Sequence, residues 1–237
     1  MSKLDEAKKI AKKEYDKNKP VSIDMMNILK SALKSIQKKG IQGKLYGLKY
    51  KLKTKASLAD KYIRISNRTG ASIKEASTQV KDGIRFTVIF DKTQYVDGVL
   101  SLWHIFKKKG YLSVTRLDKD EVRWSVGDGY QGINTLISKR KNLPIEIQFH
   151  TKKSIQIKEN KLHPVYEKLR KECDEKITLQ EYKKDKQRKK SKYKRKCYHY
   201  KKKLVEIEKQ IPIPKKIKKC KTLKKKGNRI QDLESCN

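Results

Sequence analysis

Leu143-Pro144-Ile145-Glu146-Ile147-Gln148-Phe149 alternates with a period of two, so Ile145, Ile147 and Phe149 face one side of a strand and Glu146 and Gln148 the other. The apolar side must pack against a core. The polar side carries a carboxylate in the middle of an otherwise apolar run. Such an acid is costly to cover unless it is paired or bound to a metal, and the other reading leaves it solvated on an open sheet face. Further strands are expected over 84–90, 111–117, 121–126 and 133–138, with an extended segment over 42–55.

Helical spacing alternates with these strands. Leu4, Ala7, Ile10 and Ala11 mark a helix over 1–18 that Lys19-Pro20 should end. Ser22 then reads as the cap of a helix over 23–39, with Gly40 as its stop and Met25, Met26, Ile28, Leu29, Leu33 and Ile36 as its core face. Ser57 reads as the cap of a helix over 58–66, followed by a loop at Asn67-Arg68-Thr69-Gly70. A helix over 95–109 stops at Gly110, and another runs from Ser154 to about Cys173 with Pro164 kinking or dividing it. The interleaving predicts an α+β fold, a mixed and mainly antiparallel sheet flanked by helices.

Beyond Thr178 the composition changes. Lys183 to Lys196 is strongly basic with almost no apolar content beyond Tyr193; Leu204, Val205 and Ile207 form a short apolar face, and a second basic run follows Ile211-Pro212-Ile213-Pro214. This reads as a basic appendage, part helical and part disordered. The expected division is N-terminal helices over 1–40, a central domain over 41–175 and the basic tail over 176–237. The net charge is +37, a field that attracts nucleotides, nucleic acid or anionic membrane. The opening residues lack an apolar signal region, and the longest apolar stretches are strand-length, so a cytoplasmic protein without a membrane partner is expected. Cys173, Cys197, Cys220 and Cys236 have no C-x-x-C spacing and are expected to be reduced thiols rather than a zinc site.

Several residue types point to phosphate chemistry. Lys51, Lys53 and Lys61 are spaced so that an extended segment and the first turns of a helix, with the Ser57 hydroxyl, converge on one anion. The competing reading is a set of solvated lysines in a lysine-rich chain. Asp82 precedes the 84–90 strand and Arg85 lies within it, an acid able to ligate Mg²⁺ and a cation able to neutralise phosphate oxygens. Gly129-Tyr130 offers an aromatic shelf for a purine, or a buried structural ring. His150 and His163 read as hydrogen-bonded structural histidines. No Walker loop, dinucleotide turn or His-Asp dipeptide occurs.

In order, Lys51-x-Lys53-x-x-x-Ser57-x-x-x-Lys61, Asp82-Gly83-Ile84-Arg85-Phe86-Thr87, Gly129-Tyr130-Gln131-Gly132-Ile133-Asn134 and Glu146-Ile147-Gln148-Phe149-His150-Thr151 resemble the synthetase domain of the RelA/SpoT-like alarmone synthetases. With Lys158-Glu159 and His163-Pro164-x-Tyr166-Glu167-x-x-Arg170, the pattern is most similar to phage-associated and toxin-like branches. The resemblance covers about residues 45–172. It implies transfer of pyrophosphate from ATP to the 3′-hydroxyl of a guanosine or adenosine nucleotide, with Mg²⁺. Lys51, Lys53, Ser57 and Lys61 would hold ATP phosphates, Asp82 and Glu146 the metal, and Tyr130 the acceptor base. Gly129, Gln148 and His150 would complete the nucleotide site, with Arg85 beside the reacting phosphates and Glu146 also taking the hydroxyl proton. Lys51 stands where the family usually has arginine and Val80 where it has its metal-binding acid. Asn134 and His150 stand where a histidine and an arginine are common. Without a His-Asp dipeptide, synthesis without hydrolysis is implied. Two alternatives stay open: pyrophosphorylation of the tRNA 3′ end, which the basic tail would suit, and an inactive nucleic-acid-binding protein on the same fold.

Overall fold

The computed structural model describes residues 2–114, 121–124, 130–139, 143–173, 192–220 and 228–236. A long helix α1 (Lys3–Gln37) leads into β1 (Gly43–Tyr46), a 3₁₀ turn (Leu48–Tyr50), α2 (Lys55–Thr69), α3 (Ile73–Thr78), β2 (Ile84–Phe90) and α4 (Tyr95–Lys108). Then come β3 (Tyr111–Ser113), β4 (Val122–Arg123), β5 (Gly132–Lys139) and β6 (Ile145–Thr151). The chain continues through α5 (Lys152–Ile157), a π-helical turn (Lys158–Leu162), α6 (His163–Glu172), α7 (Lys192–Glu208), α8 (Lys215–Lys219) and a closing 3₁₀ turn (Ile230–Cys236).

The strands form one open sheet in the order β1-β2-β6-β5-β3, with β4 also on β5; β2 and β6 are parallel and every other pair is antiparallel. This is the mixed, mainly antiparallel sheet expected, with helices packed on it. The alternating run around Glu146 is the middle of the sheet: all seven residues of β6 are buried. Ile145, Ile147 and Phe149 join Ile84, Phe86 and Val88 of β2 in the main core, against Met25, Leu29 and Ile36 of α1 and Val99, Leu102 and Phe106 of α4. A smaller core joins Ala7 and Ala11 of α1 to Leu58, Ala59 and Tyr62 of α2 and Ile73 of α3.

Several boundaries differ from expectation. Pro20 does not end the first helix, because α1 is continuous from a Ser2 cap and its buried stripe serves both cores. Ser22 is no cap; its hydroxyl donates to the Lys19 carbonyl at 2.8 Å, within the turn around the proline. Packing on both sides of Pro20 outweighs the lost backbone bond, an interior cost of about 3 kcal/mol. Ser57 is not the cap of α2 either. Thr54 is, its Oγ1 accepting the Ser57 N–H at 3.2 Å. Thr151 caps α5 and takes the Ser154 N–H at the same distance. In both Thr-x-x-Ser stretches the first hydroxyl caps and the second sits three residues into the helix. The short α3, opened by a Ser72–Glu75 capping box, begins three residues after Gly70, and of the loop expected over 67–70 the first three residues are the last turn of α2 and Gly70 is its C-cap.

The described parts of 176–237 are packed rather than loose. Leu204, Ile207, Ile211, Ile217, Ile230 and Leu233 belong to the main core. The four cysteines are not free thiols: α6 packs on α7, bringing Cys173 to Cys197 with Cα atoms 5.7 Å apart, and Cys220 meets Cys236 at 4.9 Å. Sulfurs distant in sequence become neighbours through helix packing that spacing alone does not reveal. No described helix is long and apolar enough to cross a membrane.

Titration with a thiol reagent in denaturant should find no reactive thiol before reduction. Cys197→Ser should lower the unfolding free energy by about 2–4 kcal/mol in urea titrations without reductant, and by little once reductant is present.

Candidate active site

Strand register brings the polar face of β6 together with its neighbours. Arg85 lies opposite Glu146 on the parallel pair, and Asn134 lies opposite Gln148 on the antiparallel one. Arg85 Nε donates to Glu146 Oε2 at 2.5 Å, while Asn134 Nδ2 and Gln148 Nε2 donate to Oε1 at 2.7 and 3.0 Å. Glu146 is 5% exposed, so it is a paired, covered carboxylate and not a solvated one.

A second carboxylate sits at the entrance to β2. Leu52 bridges Ile84, Lys53 N–H donates to the Gly83 carbonyl at 3.0 Å, and Arg85 N–H donates to the Lys51 carbonyl at 2.9 Å. This short pairing holds Lys53 beside Asp82, and α2 brings Lys61 from another direction. Asp82 accepts from Lys53 Nζ at 2.9 Å, Lys61 Nζ at 2.5 Å and the Arg85 guanidinium at 2.9 Å. Gly83 admits α1 at this point: a Cβ there would stand 2.7 Å from Asn18 Nδ2. Arg85 therefore joins Asp82 to Glu146. The early lysines and the late glutamate, far apart in sequence, share one network.

The network continues past Gln148, whose Oε1 accepts Lys158 Nζ at 2.7 Å. That ammonium lies 5.2 Å from the centre of the Tyr130 ring. The Tyr130 hydroxyl is 2.9 Å from His150 Nε2, and His150 Nδ1 is 3.0 Å from Ser154 Oγ. His150 is fully buried and holds Tyr130 by its hydroxyl, with the two rings edge to face. Of the residues singled out from sequence, the structure thus unites Lys53, Lys61, Asp82, Arg85, Glu146, Gln148, Tyr130 and His150. Lys51 supplies its carbonyl to the assembly. Ser57 is exposed in the first turn of α2, and its N–H is spent on the cap. Gly129 lies outside the described residues. Asn134 and Lys158 are members for which sequence reasoning gave no role. Asn134 could have been found from the pairing of 133–138 with 145–149, whereas one lysine among so many carried no signal.

Burial pushes the Asp82 carboxyl up, but Lys53 and Lys61 more than reverse this and hold it well below the usual carboxylate range. Burial likewise raises Glu146, and Arg85 overrides it, leaving a net lowering. Lys53 is lowered because its burial outweighs the pull of Asp82. Burial, then Arg85, draws Lys158 down to about 8, while burial and Lys158 keep His150 neutral. In the hydrogen-bonded network of the described residues, four cations (Lys53, Lys61, Arg85, Lys158) accompany two carboxylates (Asp82, Glu146). The site suits an anion.

The oxygen donors fit a hard divalent cation such as Mg²⁺ in one form. Asp82 and Glu146 offer carboxylates, and Asn134 Oδ1 is buried beside them without a partner among the described residues. Both carboxylates already hold N–H donors, so a bare ion would meet three cations around Asp82. A cation arriving on a polyphosphate brings anions for the lysines and leaves the carboxylates free to bind it.

No protein-family model and no curated protein sequence matches this chain. Solved structures similar to it include a GTP pyrophosphokinase family protein from Streptococcus pneumoniae, at 12% identity over 84% of this chain and 89% of that one, TM-score 0.48. Small alarmone synthetase 1 from Bacillus subtilis, bound to its product pppGpp, is similar at 13% identity over 81% and 88%, TM-score 0.43. The type VI effector Tas1, in complex with its immunity protein, is similar at 15% identity over 86% and 96%, TM-score 0.36.

Removing the bridging cation tests this geometry. The folded pKa values of Asp82 and Glu146 are depressed, so their stabilisation is complete above the unfolded carboxylate range and is lost as pH falls through the folded values. Arg85→Met should raise Glu146 and move the acid-unfolding midpoint to higher pH. Because Arg85 is 36% exposed, the loss at neutral pH should fall below the roughly 3–5 kcal/mol of a fully buried pair, at about 1–3 kcal/mol by urea unfolding.

Proposed function

We propose that this chain transfers pyrophosphate from ATP to the 3′-hydroxyl of an acceptor nucleotide, the activity that its motifs suggest. The observation that carries this reading is the convergence of Lys53, Lys61, Asp82, Arg85 and Glu146, from separate segments, in one connected cationic network. In the reaction the acceptor 3′-oxygen bonds to the β-phosphorus of ATP, the bond from that phosphorus to the α-phosphate oxygen breaks, AMP leaves, and the hydroxyl proton is released. Little covalent chemistry is asked of the protein. Its work is alignment and neutralisation of phosphate charge.

Lys53 and Lys61 hold the polyphosphate in this reading, exchanging Asp82 for phosphate oxygens, and Arg85 takes the charge that builds at the reacting phosphorus. Mg²⁺ held by Asp82 and Glu146 would supply further neutralisation of the phosphates. Glu146, with its lowered pKa, is a weak proton acceptor, and its main contribution is to fix Arg85 and orient the attacking hydroxyl. Tyr130, pinned by His150, gives the acceptor base a fixed ring to lie on.

A second reading, transfer to the 3′ end of tRNA, is favoured by a specific surface. Between α6 and α7 lies a groove lined by Lys161, Lys168, His199, Tyr200 and Lys203, a mixture of cations and an aromatic ring suited to a nucleic-acid backbone.

Incubation with ATP labelled on the β-phosphate, Mg²⁺ and either GDP, GTP or tRNA separates the readings by where the label goes. Transfer to a nucleotide is expected, and chelation of Mg²⁺ should abolish it. Glu146→Gln should reduce turnover by about 10²-fold or more, as loss of transition-state alignment does. Label on tRNA instead would establish the second reading. No transfer with either acceptor, together with salt-sensitive RNA binding, would identify a non-enzymatic nucleic-acid-binding protein.

A further inference from the structure

We infer that Lys158 is the phosphate-binding cation of the acceptor side, holding the 5′-phosphate of the nucleotide whose base lies on Tyr130. The inference rests on the pyrophosphate-transfer reading and extends it to a residue which that reading leaves without a role.

Its support is the difference between Lys158 and the other site cations. Lys53, Lys61 and Arg85 are each paired with Asp82, and Arg85 also with Glu146. Lys158 Nζ rests on neutral groups, the Gln148 amide oxygen and the Tyr130 ring face, with no carboxylate in ion-pair range among the described residues. A partly buried ammonium held this way is poorly compensated, and a phosphate oxygen would be a stronger partner than either. The neighbouring groups make the same point. His150, at the ring hydroxyl, is neutral, Glu159 is turned to the Tyr46 hydroxyl at 2.6 Å, and Glu146 is taken by Arg85, Asn134 and Gln148.

Position supplies the assignment to the acceptor. The polar chain runs Asp82, Arg85, Glu146, Gln148, Lys158, so the two lysines at Asp82 and the single lysine at Tyr130 lie at opposite ends of it. A reaction joining two phosphate-bearing molecules needs a cationic grip for each, with the bond-forming groups between them. Lys158 also opens the π-helical turn, a departure from α-helical geometry that is frequent at functional sites.

Calorimetric binding of GDP and of guanosine to the full chain, without ATP, tests the assignment directly. Lys158→Met should weaken GDP binding by about 10–100-fold, the scale of one charge-assisted hydrogen bond, and leave guanosine binding unchanged. Lys158→Arg should restore most of the GDP affinity, and in turnover the KM for GDP should rise while that for ATP holds. A CCA-ended RNA in place of GDP decides whether the phosphate belongs to a free nucleotide or to an RNA end; the same loss with either ligand supports the role. Equal losses for GDP and guanosine, or a rise in the ATP KM alone, would overturn it. A wild-type chain that binds GDP with this Lys158 dependence but transfers no label would keep the assignment and remove the enzymatic reading. A wild-type chain that binds neither GDP nor the RNA end would overturn both.

Discussion

The Arg85 guanidinium, lying between Asp82 and Glu146, is the contact on which the rest of the site depends. A carboxylate at the centre of a buried strand has few ways to stay charged. Glu146 does so because the next parallel strand places a guanidinium at its own level, and because two amides complete its hydrogen bonds. The same guanidinium reaches Asp82 at the strand entrance, where two lysines are drawn in. A planar fork can span two acids in this way, with Nε–H directed at Glu146 and a terminal N–H at Asp82.

The arrangement also explains how so cationic a site tolerates its own charge. Lys53, Lys61 and Arg85 would repel one another if left without Asp82, and burial already lowers the pKa of Lys53 in spite of that partner. The aspartate screens them at rest. A polyphosphate offers the same cations more negative charge, so binding is an exchange of partners rather than the creation of new charge in a covered place.

Much of this was readable before any coordinates. Ile145 to Phe149 and Ile84 to Phe90 declare strands by alternation and apolar content, and their polar positions, Glu146, Gln148 and Arg85, proved to share one sheet face. What alternation cannot give is register, and register is what sets Arg85 against Glu146 and Asn134 against Gln148. The helix starts were misplaced for a local reason. In Thr54-Lys55-Ala56-Ser57 and Thr151-Lys152-Lys153-Ser154 either hydroxyl residue could cap, and the choice is made by which side chain accepts the backbone N–H three residues on. Pro20 misled because a propensity argument sees only the helix, whereas α1 is held on both sides of the proline by packing. Lys158 was hidden by abundance. Its distinction is that no carboxylate among the described residues pairs with it, a property of place and not of type.

The C-terminal region shows why charge density alone is a poor guide to separateness. Its lysine runs suggest an arm that could be removed to leave the catalytic part untouched. Yet Glu121, with no exposed surface, accepts from the Ser113 and Thr135 hydroxyls and from the Ile230 N–H, while its carbonyl accepts the Asn134 N–H at 2.9 Å. One residue therefore ties the closing turn of the chain to β5, the strand whose Asn134 supports Glu146. Leu204, Ile207, Ile230 and Leu233 lie in the same core as β6. Deleting everything beyond residue 178 would uncover that core and strip a buried carboxylate of a donor, a loss that reaches the site through a single strand. Any contribution of the basic segments to nucleic-acid binding must be sought by neutralising exposed lysines one group at a time, because the scaffold that carries them also holds the sheet in place.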